Sequence, residues 1–484
     1  MAIFYASPTG TSGNAGSIGS PWSLAHAMAS GNTTLQPGDT VRLLPGGYDL
    51  GTFTATKAGA VGAPIVYRRH VPGERTYLEG NVTLSGAHTW LADLELCWTG
   101  TETRGPVPDE TALTRWNRGF LPNAAGQQWI ECDVHDMTNG VFAGAPAVDF
   151  RLDDCRFYNQ GMDGNTRGHG HALYLQNDTG TKRVRNCLAW GGYQFGLQVF
   201  GSAAAVLRNI TLEDSAFFQM GISTSYENGG EAAFIMNGGS TGNLGPVLLD
   251  RCSLFRQATQ TGTLGRLGLN GWGTGLEVRN STLRGYVELA PSLGNIFTDN
   301  LVWVEDVGGV ASRQPITATL PGGQPDSIYT IDRNAYHVRS PLGTTFNLTA
   351  WRARGYDVNG TLSTSNPSGF RTRVIPTRYG LSALGHVHVW NFAGASTATV
   401  DLGPLGLDFG MPYAIYHAFD YVTSGPALVE GTYTGQRVTL PMDARTPPRP
   451  YGAASDPPTM PNTFGAFVVT TRPGYTPILG GGLG

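Results

Sequence analysis

Seven short segments of this chain are copies of one pattern: WIECDVHD (129–136), RLDDCRFY (151–158), VRNCLAW (184–190), LEDSAFF (212–218), LDRCSLF (249–255), VRNSTLR (278–284) and TDNLVWV (298–304). A small or thiol residue recurs in one column: Asp133, Cys155, Cys187, Ser215, Cys252 and Ser281, closed by Leu301. The column before it is mostly Asp, Asn or Arg: Cys132, Asp154, Asn186, Asp214, Arg251, Asn280, Asn300. The spacing between copies varies, as a solenoid allows, because each coil needs only its strands in register and takes up the variation in loops.

A second set interleaves with the first: HALYLQND (171–178), FGLQVFGS (195–202), AAFIMNGG (232–239), GRLGLNGW (265–272) and GYVELAPS (285–292). Strand alternation sorts it into two faces. Leu173, Leu197, Phe234, Leu267 and Val287 make one inward column, and Leu175, Val199, Met236, Leu269 and Leu289 the next. Three outward columns follow: Tyr174, Gln198, Ile235, Gly268, Glu288; then Gln176, Phe200, Asn237, Asn270, Ala290; then Ala172, Gly196, Ala233, Arg266, Tyr286.

Composition agrees with many short strands. The 484 residues are 40% hydrophobic but only 14% charged, with 68 glycines. Net charge is −4 without a basic run, which argues against a nucleic-acid partner. No window has the length and apolarity of a membrane span, and MAIFYASPTG lacks the basic and apolar regions of a secretory signal. The five cysteines, Cys97, Cys132, Cys155, Cys187 and Cys252, show neither a CxxC pair nor zinc-finger spacing. Trp22–Ala29 has helical spacing and predicts a short cap helix, and Leu348–Arg354 a second helix.

The run QPGDTVRLLPGGYDLGTFTATKAGAVGAPIVYRR (36–69), followed by the repeats, resembles the right-handed parallel β-helix proteins of the pectate-lyase-like class. That class includes polysaccharide lyases, glycoside hydrolases and phage tail or tailspike proteins. The expected fold is all-β: a right-handed parallel β-helix with a C-terminal antiparallel β-sandwich. The sandwich is expected from strands at 386–392, 397–402, 413–419, 431–435, 437–442 and 464–470. The divisions are 1–50 for the N-terminal strand and cap, 51–375 for the β-helix, and 376–484 for the sandwich and tail.

Chemistry has three candidate seats. The first is the loop with Asp163, His169 and His171, next to Tyr174. A histidine base and a tyrosine acid suit β-elimination, in which a proton is taken beside a uronate carboxylate. The same Asp and two His could instead hold a metal, or simply close a turn. The second is the outward face, where Gln176, Gln198, Asn237, Tyr286 and Glu288 offer the amides, rings and charges that bind sugars, with Arg266 as a catalytic cation. The third, Asp153, Asp154, Glu213, Asp214 and Asp250, could supply a hydrolase pair, but Asp at bends is usually structural.

Enzymes of the resembling class use a catalytic Lys or Arg with calcium-binding acids, or an Asp trio with a nearby His and an Arg-x-Lys. Calcium is therefore the one cofactor the resemblance would bring. This chain departs from both sets: its only lysines are Lys57 and Lys182, and Lys182 falls in a connection. The reading favours a virion surface protein, of tail-fibre, tailspike or capsid-decorating type, that contacts a polysaccharide or cell-surface glycan and other virion proteins. A homotrimer and a virion or extracellular location follow by analogy. A lyase or hydrolase acting on an acidic polysaccharide, and a scaffold with no ligand, stay open beside it.

Overall fold

The computed structural model describes residues 1–484 except 101, 109–118, 167, 202–206, 223–233, 238–244, 257–263, 269–273, 306–313, 340–345 and 472–484; for 234–237 it describes the backbone alone. The chain is a right-handed parallel β-helix closed by a C-terminal antiparallel module. Among the described residues, three parallel sheets of 12, 13 and 7 strands run along it. From Gln128 to Ala318 each coil visits the first sheet, bends into the second and returns through the third; the coils before and after place their described strands in the first two sheets.

The bend between the first and second sheets explains the repeat. Asp93, Glu131, Asp154, Asn186, Asp214, Arg251, Asn280, Asp299 and Arg333 all occupy it with φ between 50° and 63°. Asp and Asn tolerate this left-handed conformation better than other non-glycine residues, so the column is rich in them. The residue after each one stacks on its counterpart in the next coil: Leu94, Cys132, Cys155, Cys187, Ser215, Cys252, Ser281, Asn300, Asn334. From Ser215 onward this stack is a ladder. The backbone N–H of Cys187 donates to Ser215 Oγ, Cys252 to Ser281 Oγ, Ser281 to Asn300 Oδ1, Asn300 to Asn334 Oδ1 and Asn334 to Asp357 Oδ1, each at 3.0 Å.

The expected column is one residue out at both ends. Asp133 pairs with Arg156, and Leu301 with Thr282, so Cys132 and Asn300 are the stacked residues. The left-handed residue there is Glu131 or Asp299, one place earlier than the spacing suggests. All five cysteines are buried and free.

The expected Trp22–Ala29 helix is shorter, Leu24–Ala27. Ser23 caps it by accepting the His26 N–H, and Trp22 stays outside, stacked on Phe4 at 4.6 Å. The second expected helix is present as Leu348–Ala353. No helix among the described residues is long and apolar enough to cross a membrane.

The C-terminal module has a five-stranded antiparallel sheet, in spatial order Phe370–Pro376, Gly385–Asn391, Phe464–Thr471, Pro412–His417 and Val429–Thr432. A strand pair, Thr397–Val400 with Val438–Pro441, lies over it, and Val387, Val389, Ile415, Leu440 and Phe467 fill the space between. The other face of the large sheet packs on the second sheet of the β-helix. There, one register column reads His135, Tyr158, Trp190, Phe218, Phe255, Arg284, Trp303. Its rings stack at 4.5 Å (His135–Tyr158), 5.0 Å (Tyr158–Trp190) and 5.5 Å (Trp190–Phe218). Trp390, Phe464, Ala466 and Val468 of the module cover this column.

Candidate functional site

With the second sheet covered, the outer face of the third sheet carries the sequence-derived candidates. Its strands are Val141–Ala143, Leu173–Leu175, Leu197–Phe200, Phe234–Asn237, Gly265–Leu267, Val287–Leu289 and Ile316–Ala318. Leu173, Leu175, Leu197, Val199, Leu267, Val287 and Leu289 are buried inside, as alternation requires. Leu269 and Asn270 lie outside the described residues.

The outward register is Phe142, Tyr174, Gln198, Ile235, Arg266, Glu288, Thr317. This corrects the expected columns: Arg266, not Gly268, stands between Ile235 and Glu288. The strand ends at Leu267, because Gly268 turns at φ 84°. The shift is two residues, so inward and outward faces are unchanged while each side chain moves one column. Arg266 therefore sits beside Glu288 and donates from Nε to its Oε2 at 2.8 Å.

At the other end, the His171 ring meets Tyr174 edge-on at 5.6 Å and stacks on Phe195 at 5.5 Å. Tyr174 also packs against Phe142 at 4.8 Å. Asn139 Oδ1 accepts the His171 backbone N–H at 3.0 Å and fixes the turn that presents the ring. Burial pushes the Tyr174 phenol pKa up, and a hydrogen bond with Gln176 partly offsets it. A phenol so placed holds its proton more tightly than a free tyrosine, so only a strongly basic leaving oxygen would take it. Gln176 also donates to Phe200 O at 3.1 Å.

Not all candidates converge. Tyr174 and Arg266 are three rungs apart, roughly 14 Å at the usual strand spacing, so they cannot serve one reacting atom. Tyr286 lies just before its strand, partly buried against the core. Asn237 ends its strand opposite Phe200, and its side chain is outside the described residues. Asp163 and His169 belong to a small antiparallel pair, Met162–Asp163 with Gly168–His169, and are both buried. Gly161 and Gly170 let that hairpin close: a Cβ on Gly161 would come within 1.7 Å of His169 O. Asp163, His169 and His171 do not form a group with donor atoms within 4.8 Å of one another, so the metal option at this loop is not met.

The carboxylate set is structural. Asp154 lies at the left-handed bend, accepts from Asn186 at 2.6 Å and from the Arg378 backbone at 2.7 Å, and burial pushes its pKa up to about 7. Glu213, Asp214 and Asp250 pair with Arg183 or Arg251. Lys182 is buried, with Nζ donating to Ala147 O at 2.7 Å and Asn177 Oδ1 at 3.1 Å. The one described group of His, Cys and acidic side chains with converging donor atoms is elsewhere: Glu95, Cys97 and His135. Sequence reading passed over it, because only the stacking of coils brings these residues together.

No family model matches the chain. No curated protein matches it either. Solved structures similar to it include a pectate lyase, at 17% identity over 75% of this chain and 76% of that one, with a TM-score of 0.43. A rhamnogalacturonan lyase is similar at 14% identity over 75% and 87%, with a TM-score of 0.42. An alginate lyase from Paenibacillus sp. str. FPU-7 is similar at 15% over 68% and 99%, also with a TM-score of 0.42. Likeness at this level assigns no activity, and the fold stated above rests on the chain's own sheet topology.

Proposed function

We propose that this parallel β-helix protein acts on an acidic polysaccharide laid along the outer face of its third sheet, with His171 and Tyr174 as the proton-transferring pair of a β-elimination. One observation carries the reading. A half-exposed register column of ring, amide, guanidinium and carboxylate side chains runs across successive coils, and its first rungs hold a histidine edge-on to a tyrosine. Stacked rungs repeat at about 4.8 Å, so side chains in one column present themselves to an extended chain at regular intervals. Rings stack on sugar faces, while Gln176, Gln198 and the Arg266–Glu288 pair supply donors and acceptors for hydroxyl and carboxylate groups. Calcium, if the reaction uses it, would come with the substrate carboxylates.

The test is turnover of a panel of uronate polymers, followed by the ultraviolet absorbance of unsaturated ends. His171→Ala and Tyr174→Phe should each lower kcat at least 100-fold, within the range for loss of one acid or base, with the fold intact by circular dichroism. Full turnover by both variants would remove the pair from the mechanism.

The second reading is binding without turnover, on the surface of a virion and as a trimer. Its first part, binding without turnover, is favoured by the separation of Arg266 from His171 and Tyr174, and by the engagement of Lys182 in the interior. Retention of the chain in gels cast with one polymer, without product release, together with a trimer mass in solution, would select it.

A further inference from the structure

We propose that Glu95, Cys97 and His135 form a three-ligand site for Zn²⁺, apart from the third-sheet face. The strands Glu95–Cys97 and Asp133–His135 are neighbours in the second sheet, and His135 stands in register with Cys97. Residues two apart on a strand share a face, so Glu95 and Cys97 point the same way as His135. Donor atoms of the three lie within 4.8 Å of one another. His135 Nε2 is 3.0 Å from Glu95 Oε1. Tetrahedral zinc holds nitrogen and oxygen at about 2.0–2.2 Å and sulfur at about 2.3 Å, so the three donor atoms would draw in around the ion.

The surroundings fit a metal. His135 Nδ1 is 2.7 Å from Asp136 Oδ2, which leaves Nε2 as the ligand nitrogen. Asp136 is itself held by Arg104 Nη2 at 2.9 Å and by the Tyr451 backbone N–H at 2.8 Å. Arg75 grips Glu95 through Nε at 2.9 Å and Nη2 at 2.6 Å, and its Oε2 contact can persist while Oε1 turns to a metal. Tyr158 stacks on the imidazole at 4.5 Å and fixes its plane. Every ligand except the thiol therefore has an orienting partner of the kind that tunes metal sites.

Cys97 is also placed differently from the other cysteines. Cys132, Cys155, Cys187 and Cys252 form the stack at the first bend, inside the coil, whereas Cys97 faces outward among charged groups. Thiolate, imidazole and carboxylate together suit a borderline-soft ion such as Zn²⁺ or Co²⁺ rather than calcium. The Glu95 side chain is the most exposed of the three, at 14%, so an ion would enter from its side, and a water would complete the tetrahedron. Binding displaces the thiol proton of Cys97 and the imidazole proton of His135 into solvent, with no change of oxidation state. Metal affinity should therefore fall as pH is lowered.

The experiment is titration of the chelator-treated full chain with Co²⁺ at about pH 8. A near-ultraviolet thiolate-to-cobalt band should grow, saturate at one ion per chain and vanish on adding Zn²⁺. Cys97→Ser should abolish the band, and Glu95→Gln, at a half-buried position, should weaken Co²⁺ binding at least tenfold. No such band in the wild-type chain, or its survival in Cys97→Ser, would overturn the proposal. If Cys97→Ser does not fold, Glu95→Gln decides: wild-type affinity in that variant also overturns it.

Discussion

Glu131 shows how one residue can hold an unfavourable backbone conformation for a reason outside its own coil. Its φ of 50° places it in the left-handed region, which costs a non-glycine residue about 1–2 kcal/mol. Its carboxylate accepts the backbone N–H groups of Leu381, Ser382 and Ala383 at 2.7, 2.7 and 2.9 Å, and so anchors the C-terminal module. Burial raises its pKa and those donors pull it back. Glu131→Ala should cost about 2–4 kcal/mol by urea denaturation, because buried donors lose their acceptor. Asn300→Ala should cost about 1–3 kcal/mol in the same assay by stranding the Ser281 N–H. The Asp and Asn of the bend column are legible in the sequence because few other residues tolerate left-handed φ. Glu131 is not legible, since its hydrogen-bond donors come from a loop some 250 positions away. The same holds for Glu95, Cys97 and His135, whose spacing matches no metal motif until coils stack.

At the scale of elements, the ring column on the second sheet holds the two parts of the molecule together. Trp190 is fully buried, stacked between Tyr158 and Phe218 and touched by Phe419 of the module. Trp190→Ala should cost about 3–5 kcal/mol and reduce the near-ultraviolet circular dichroism of the interface. Strand alternation made both faces of the third sheet readable, yet it misplaced Arg266. A period of two is blind to a slip of two residues, so hydrophobicity cannot fix register there. What fixes it is the turn at Gly268, where a Cβ would come within 2.8 Å of Ala290 O. The candidate site was thus legible as a face but not as a set of neighbours.

The whole molecule should respond to acid through its C-terminal module. His386, His388 and His417 are buried there; burial drives the pKa of His388 and His417 down to about 3, and that of His386 well below the usual value. In the unfolded chain a histidine takes its proton near pH 6.5. Between those values the unfolded state binds more protons, so stability falls as pH drops below about 6.5 and continues to fall towards about 3. His135 acts with the opposite sign: its contribution is full below about 6.5 and is lost as pH rises through its raised folded value. The buried carboxyls of Asp154, raised to about 7, and Glu131 act with the same sign as His135, because the folded chain takes up their protons first. The histidine contribution is therefore read by difference: His388→Gln should make the thermal midpoint less sensitive to acid than in the wild-type chain, by a few kcal/mol at most.

A solenoid left to itself behaves as a row of weakly coupled units, able to fray coil by coil from either end. Here the module lies across consecutive coils of the second sheet from Tyr158 to Trp303 as a splint lies across a jointed rod. Those coils cannot peel away singly; they must be released together, when the splint lifts. Amide hydrogen exchange should therefore divide the chain unevenly. The opening strands Ile3–Ala6 and Thr40–Leu43 should exchange well ahead of the splinted coils, and the splinted coils should exchange as one block.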